Sequence, residues 1–149
     1  MTTTTRLAGL GAAAMLALVP IADAAKKKPV RVPKSGLYHG ADPAGRTIDI
    51  YTARTIVQLV AFDFKCRSVK GVKGRTSLNY IKMKRTKNGY KFALTAHGNV
   101  TYSDDYPDEN GAFSIAGRFT AAGNRVSGTY RAKSPRCGST GSVNWRAKR

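Results

Sequence analysis

From Gly36 onward, apolar residues recur at every second position in short runs, and Gly, Asn, Pro or Asp interrupts each run before a helical stripe can develop. A period of two lets a chain bury one face only as a strand. The density of turn residues keeps those strands short. The pattern predicts an all-β domain over residues 36–149: an antiparallel β-sandwich or small barrel of about eight short strands.

The runs differ in how much they bury. "RTIVQLVAFDFKC" (54–66) sets Ile56, Val60, Phe62, Phe64 and Cys66 on one face and Val57, Leu59 and Ala61 on the other, as expected of the most enclosed strand. "GSVNWRA" near the end puts Val143, Trp145 and Ala147 together. "GAFSIAGRFT" and "RVSGTYRA" form a hairpin about Gly123-Asn124. A two-residue turn there sets Phe119 against Gly128 and Gly117 against Tyr130, whereas a four-residue loop shifts the pairs and keeps the faces. These glycines read as room for neighbouring rings rather than as a ligand cradle.

The hairpin "TSLNYIKMKRT"–"YKFALTAHG" carries the clearest local signal. Asn-Gly between alternating runs favours a type I′ turn, which needs positive φ at both central residues. A two-residue turn at Asn88-Gly89 pairs Lys87 with Tyr90, Arg85 with Phe92 and Met83 with Leu94. Lys82, Lys84 and Lys91 then project from the wet face, and Arg85 and Lys87 turn outward near the tip. Any half-buried hairpin needs polar residues on that face, but not residues of one sign. Between Phe64 and Ser103 ten basic residues stand without a single acidic one. These five cations are the candidate contacts for a polyanion.

The first residues read as an address. Arg6 precedes an apolar stretch from Leu7 to Val19, followed by Pro20 and Ala22-Asp23-Ala24, the pattern of a secretory signal peptide cleaved after Ala24. A helix of that length rises about 20 Å, short of a bilayer core of about 30 Å, so no transmembrane segment is expected after processing. Cleavage would remove Arg6 and Asp23 and leave the net charge at +18. That charge favours polyanionic partners and opposes compaction. "AKKKPVRVPKS" (25–35) reads as a basic, disordered tail. Cys66 and Cys137 are the only cysteines, and an even count in an exported chain predicts one disulfide.

"SGLYHG", Cys66 after an aromatic strand, "IAGRF" followed by "VSGTY", and the ending "CGSTGSVNWRAKR" resemble small secreted single-disulfide β-domains of actinobacteria. The resemblance implies the same fold and disulfide, and contributes neither an activity nor site residues.

Catalytic signatures are sparse. Phosphate-binding, dinucleotide, G-x-S-x-G and H-E-x-x-H motifs are absent, and the histidines are His39 and His97 alone. No recognition helix or exposed-aromatic motif suggests sequence-specific nucleic-acid binding. "SDDYPDENG" gathers Asp104, Asp105, Asp108 and Glu109, oxygen ligands of the kind calcium takes, although Tyr106 breaks the spacing of known loops. The sequence thus reads as a secreted or envelope-associated, non-catalytic domain that contacts an anionic cell-envelope polymer or other polyanion and needs no cofactor. A small hydrolase or ribonuclease using His39 and/or His97 is the alternative.

Overall fold

The computed structural model describes residues 29–149; the signal segment and Lys26, Lys27 and Lys28 lie outside them. Ten strands follow in order: β1 (Gly36–Ala41), β2 (Thr47–Ala53), β3 (Ile56–Lys65), β4 (Lys73–Lys82), β5 (Lys84–Thr86), β6 (Gly89–Tyr102), β7 (Glu109–Phe119), β8 (Arg125–Ser134), β9 (Gly138–Ser139) and β10 (Val143–Lys148). Neighbours pair antiparallel in the order β1-β2-β3-β4-β6-β7-β8-β10, and β10 pairs back onto β1. Eight strands therefore close a barrel, with β5 and β9 as short appendages of β6 and β8. Of the two architectures expected, the barrel is the one formed.

Side chains fill the interior. Trp145, Tyr38, Tyr130, Phe62, Phe64, Phe113 and Phe119 are all fully buried there. One cross-strand row fixes the packing: Phe92 faces Gly117, Gly117 faces Gly128, and Gly128 faces Trp145. Gly117 leaves space that both the Phe92 and Trp145 rings occupy, with ring centroids 6.4 Å apart. A Cβ on Gly128 would stand 1.8 Å from the Ala116 carbonyl oxygen, so β7 and β8 approach too closely there for any larger residue. The glycines serve packing, but the loop has four residues, 121–124, closed by the Thr120 amide donating to the Arg125 carbonyl, and the rings over Gly117 are Phe92 and Trp145 rather than Tyr130.

Two irregularities change faces that strict alternation would fix. The β2–β3 register shifts between Tyr51 and Thr52, so Val57 points inward with Val60, Phe62 and Phe64 while Ile56 turns outward. In β4, Tyr80 adopts φ 56° and its ring stands 79% exposed, which moves the inward set from Leu78 to Ile81 and Met83. The first hairpin is also shifted: its turn is Lys87-Asn88, Arg85 faces Tyr90 and Lys84 faces Lys91. Outside glycine, positive φ among the described residues is confined to Arg54, Tyr80 and Asp105, so Asn88 does not adopt the type I′ conformation. Gly89 serves a close approach instead, since a Cβ there would lie 2.1 Å from the Phe119 carbonyl oxygen.

Both ends of the described residues are tied to the barrel, the Arg149 amide donating to the Asn124 carbonyl at one of them. Cys66 and Cys137 are joined across 71 residues, a constraint worth about 4 kcal/mol in the chain-entropy model. The segment expected as a tail is held from Arg31 on: the Arg31 and Lys34 amides donate to the Ala121 and Gly123 carbonyls, and Pro33 is buried. Tyr38 donates its hydroxyl to the Gly123 carbonyl, fastening the same corner.

Asp42, in the β1–β2 turn, is a buried carboxylate with four donors: the Ala44 amide (2.8 Å), the Arg46 amide (3.1 Å), Arg46 Nε (2.6 Å) and the Tyr130 hydroxyl (3.0 Å). Burial pushes its pKa up, but the bonds from Arg46, Tyr130 and Ala44 outweigh burial and hold it below the ordinary value. Tyr130 is pushed up to about 12, by burial first and then by the carboxylate it donates to. A depressed folded-state pKa means that this contribution is complete above the unfolded value and is lost as pH falls through the folded one. Denaturant unfolding from about pH 6 to about pH 2 should show wild-type stability falling below about pH 4. Asp42→Asn, already weakened at the upper pH, should fall less steeply. Equal slopes would mean that Asp42 is not a source of the acid sensitivity.

Candidate polyanion-binding site

With the interior filled, the outward faces of the strands carry the remaining chemistry. On β6, Lys91, Ala93, Thr95 and His97 point outward while Tyr90, Phe92 and Val100 are buried. Alternation in β7 turns Ala116 and Arg118 outward, and in β8 Ser127 and Thr129. Register then aligns these residues across the strands: Lys84 faces Lys91, Lys91 faces Arg118, and Arg118 faces Ser127. The adjacent row is Ala93–Ala116–Thr129.

The result is an open trough of about 460 Å³. Its floor is made of short side chains and bare backbone at Ala93, Ala116, Gly117, Gly128 and Thr129, and Lys82, Lys84, Lys91 and Arg118 stand around it. The trough is shallow because the residues that point outward here, Ala93, Ala116 and Thr129, are short. Phe92 is the one ring bordering the trough, and it is buried, so no aromatic platform is offered to a base or sugar.

No carboxylate neutralises this row. Four ion pairs join the described residues, Arg46–Asp42, Arg75–Asp49, Arg75–Asp63 and Arg136–Asp104, and His39 makes a hydrogen-bond contact with Asp49. None includes a residue of the trough. Asp49 lies on β2 and Asp63 on β3, the strands opposite β7 and β8 in the closed order. The acidic loop lies at the other end of the β6–β7 hairpin, on the order of 30 Å along β6 from Lys91. Like charges directly opposite on neighbouring strands repel, and Lys84, Lys91 and Arg118 form two such pairs in succession.

Three of the five cations suggested by the sequence, Lys82, Lys84 and Lys91, border the trough; Arg85 and Lys87 are exposed at the hairpin tip away from it. Arg118 was missed. The alternation of "GAFSIAGRFT" already placed it on the wet face, but its position beside Lys91 depends on β6 pairing with β7.

The other candidates are not brought together. His39 is on β1 and His97 on β6, strands diametrically opposite in the barrel, so they cannot form an acid–base pair. His39 Nδ1 is 2.7 Å from Asp49 Oδ1. The four carboxylates weighed for calcium do not converge. Asp104 pairs with Arg136, Asp108 accepts from the Asn99 amide (2.6 Å), and Glu109 accepts from the Tyr102 hydroxyl and the Arg136 amide. Among the described residues no group of three or more His, Cys, Asp or Glu is placed to hold a metal. The loop is internally braced: the Arg136 guanidinium lies 3.8 Å from the Tyr106 ring centre, and burial together with the bond to Glu109 pushes Tyr102 up to about 12. Among the described residues no helix is long and apolar enough to cross a membrane.

The chain matches no protein-family model, no curated protein and no solved structure.

Charge crowding at the trough should have a measurable cost. Lys91→Gln relieves both like-charge pairs at once and should stabilise the protein at low ionic strength by about a few tenths of a kcal/mol. The gain should vanish as salt screens the row. Thermal unfolding at low and high salt checks this, and destabilisation at low salt would show that Lys91 makes a favourable contact instead.

Proposed function

We propose that this protein is a non-catalytic binding module, secreted or associated with the cell envelope, that holds an anionic polymer in the β5–β8 trough. The observation that carries the reading is the uncompensated row Lys84–Lys91–Arg118, with Lys82 beside it, above a floor of small residues. A protein gains nothing in stability from aligning like charges, but a polyanion lying in the trough turns the repulsion into attraction and releases its counterions. The small side chains let a backbone of phosphate, sulfate or carboxylate groups approach closely. The absence of an exposed ring in the trough disfavours ligands held there by stacking, single-stranded nucleic acid among them. The single disulfide is compatible with an extracytoplasmic location.

Binding of an anionic envelope polymer, or of long-chain polyphosphate in its place, should weaken steeply with salt. Replacing Lys82, Lys84, Lys91 and Arg118 by glutamine should lower the magnitude of the slope of log K against log[salt] by roughly three. Since all four are exposed, folding stability should change little. Removal of residues 25–30 is the control, because from Arg31 the chain is hydrogen-bonded to the barrel. If that truncation abolishes binding while the fourfold variant binds as before, the trough is only a solvated face.

A further inference from the structure

The trough does not end at Ser127. That residue also borders a second depression of about 480 Å³ on the outer face of β8, β10 and β1, where Arg125, Arg146, Lys148 and His39 stand. Register joins the two. Ser127 faces Arg146, which extends the first row to Lys84–Lys91–Arg118–Ser127–Arg146 over five strands, or about 19 Å at the usual strand spacing. Beside it, Arg125 faces Lys148 and Lys148 faces His39, another crowded pair of like charges. Arg125, Arg146 and Lys148 take part in none of the ion pairs among the described residues. Asp49, which faces His39, is already engaged by His39 and Arg75, and Asp42, which borders another depression with Arg146, is paired with Arg46.

Building on the binding role above, we propose that the Arg125/Arg146/Lys148 depression is a second subsite of the same track, and that the ligand is a linear polyanion lying across the strands from Lys84 to Lys148. Each subsite alone holds a short anion weakly. A chain long enough to occupy both makes the second contact intramolecularly, so affinity rises with ligand length far beyond the increase in charge. Ser127 is the crossing point, the one uncharged position in the row.

Tripolyphosphate and polyphosphate of about forty units serve as the short and long probes, compared by calorimetry at one salt concentration. In the wild type the long chain should bind at least about 100-fold more tightly than the short one. Changing Arg125, Arg146 and Lys148 together to glutamine should reduce that ratio below about tenfold, which covers the statistical advantage of many registers on a long chain. Ser127→Glu, a single exposed carboxylate in the middle of the track, should reduce it as well, and thermal unfolding confirms that each variant is folded. An unchanged ratio in both variants overturns the second subsite while leaving the first trough as the binding site. Failure of the wild type to bind either probe overturns the binding role itself, and the track with it.

Discussion

Barrel closure by β10 is the constraint on which the rest depends. This strand bonds to β8 along one edge and β1 along the other, and its Trp145 reaches inward over Gly128. Closure removes the sheet edges that would otherwise invite pairing with another chain. It also encloses an interior that aromatic and branched side chains occupy, leaving the outer wall as the surface where a ligand can be held. The row Phe92–Gly117–Gly128–Trp145 packs the inner side of that wall, while the short outward side chains of Ala93, Ala116 and Thr129 keep the outer side shallow.

Electrostatics then divides the outer wall. Asp49, Asp63 and Arg75 form a compensated network on the β2–β4 side, and Asp104, Asp108 and Glu109 are absorbed by Arg136, Asn99 and Tyr102. The opposite wall keeps its lysines and arginines without ionic partners. A net charge of +18 does not require this arrangement, since the acidic residues could have been scattered among the basic ones. Their segregation focuses the field on one side, which favours both the capture and the orientation of a polyanion.

Much of this was legible in the sequence because period-two alternation is a local property. It fixed the strand class, the presence of the two hairpins, the faces of Lys82, Lys84 and Lys91, and the inward set of β6. The failures lie where one residue breaks the period. Gln58 and Tyr80 are ordinary residues in the text of the sequence, yet they sit at the points where the inward face changes parity, and nothing local announces them. Asn88-Gly89 misled in another way. The glycine was needed for a contact with the Phe119 carbonyl, a partner thirty residues away, and the turn moved accordingly. Arg118 needed the long-range pairing of β6 with β7 before it could join the lysines. Proximity across strands, rather than residue type, was what the sequence concealed.

The proposed role places a polyanion against the outer face of β6, β7 and β8. Backbone amide shifts of isotopically labelled protein, titrated with polyphosphate, test it most directly. The largest changes should cluster at Lys91, Ala93, Ala116, Arg118 and Ser127, while the amides around Asp49 and Asp63 stay still. Changes confined to residues 25–35 or to the 103–109 loop, with β6 and β7 unmoved, would contradict it.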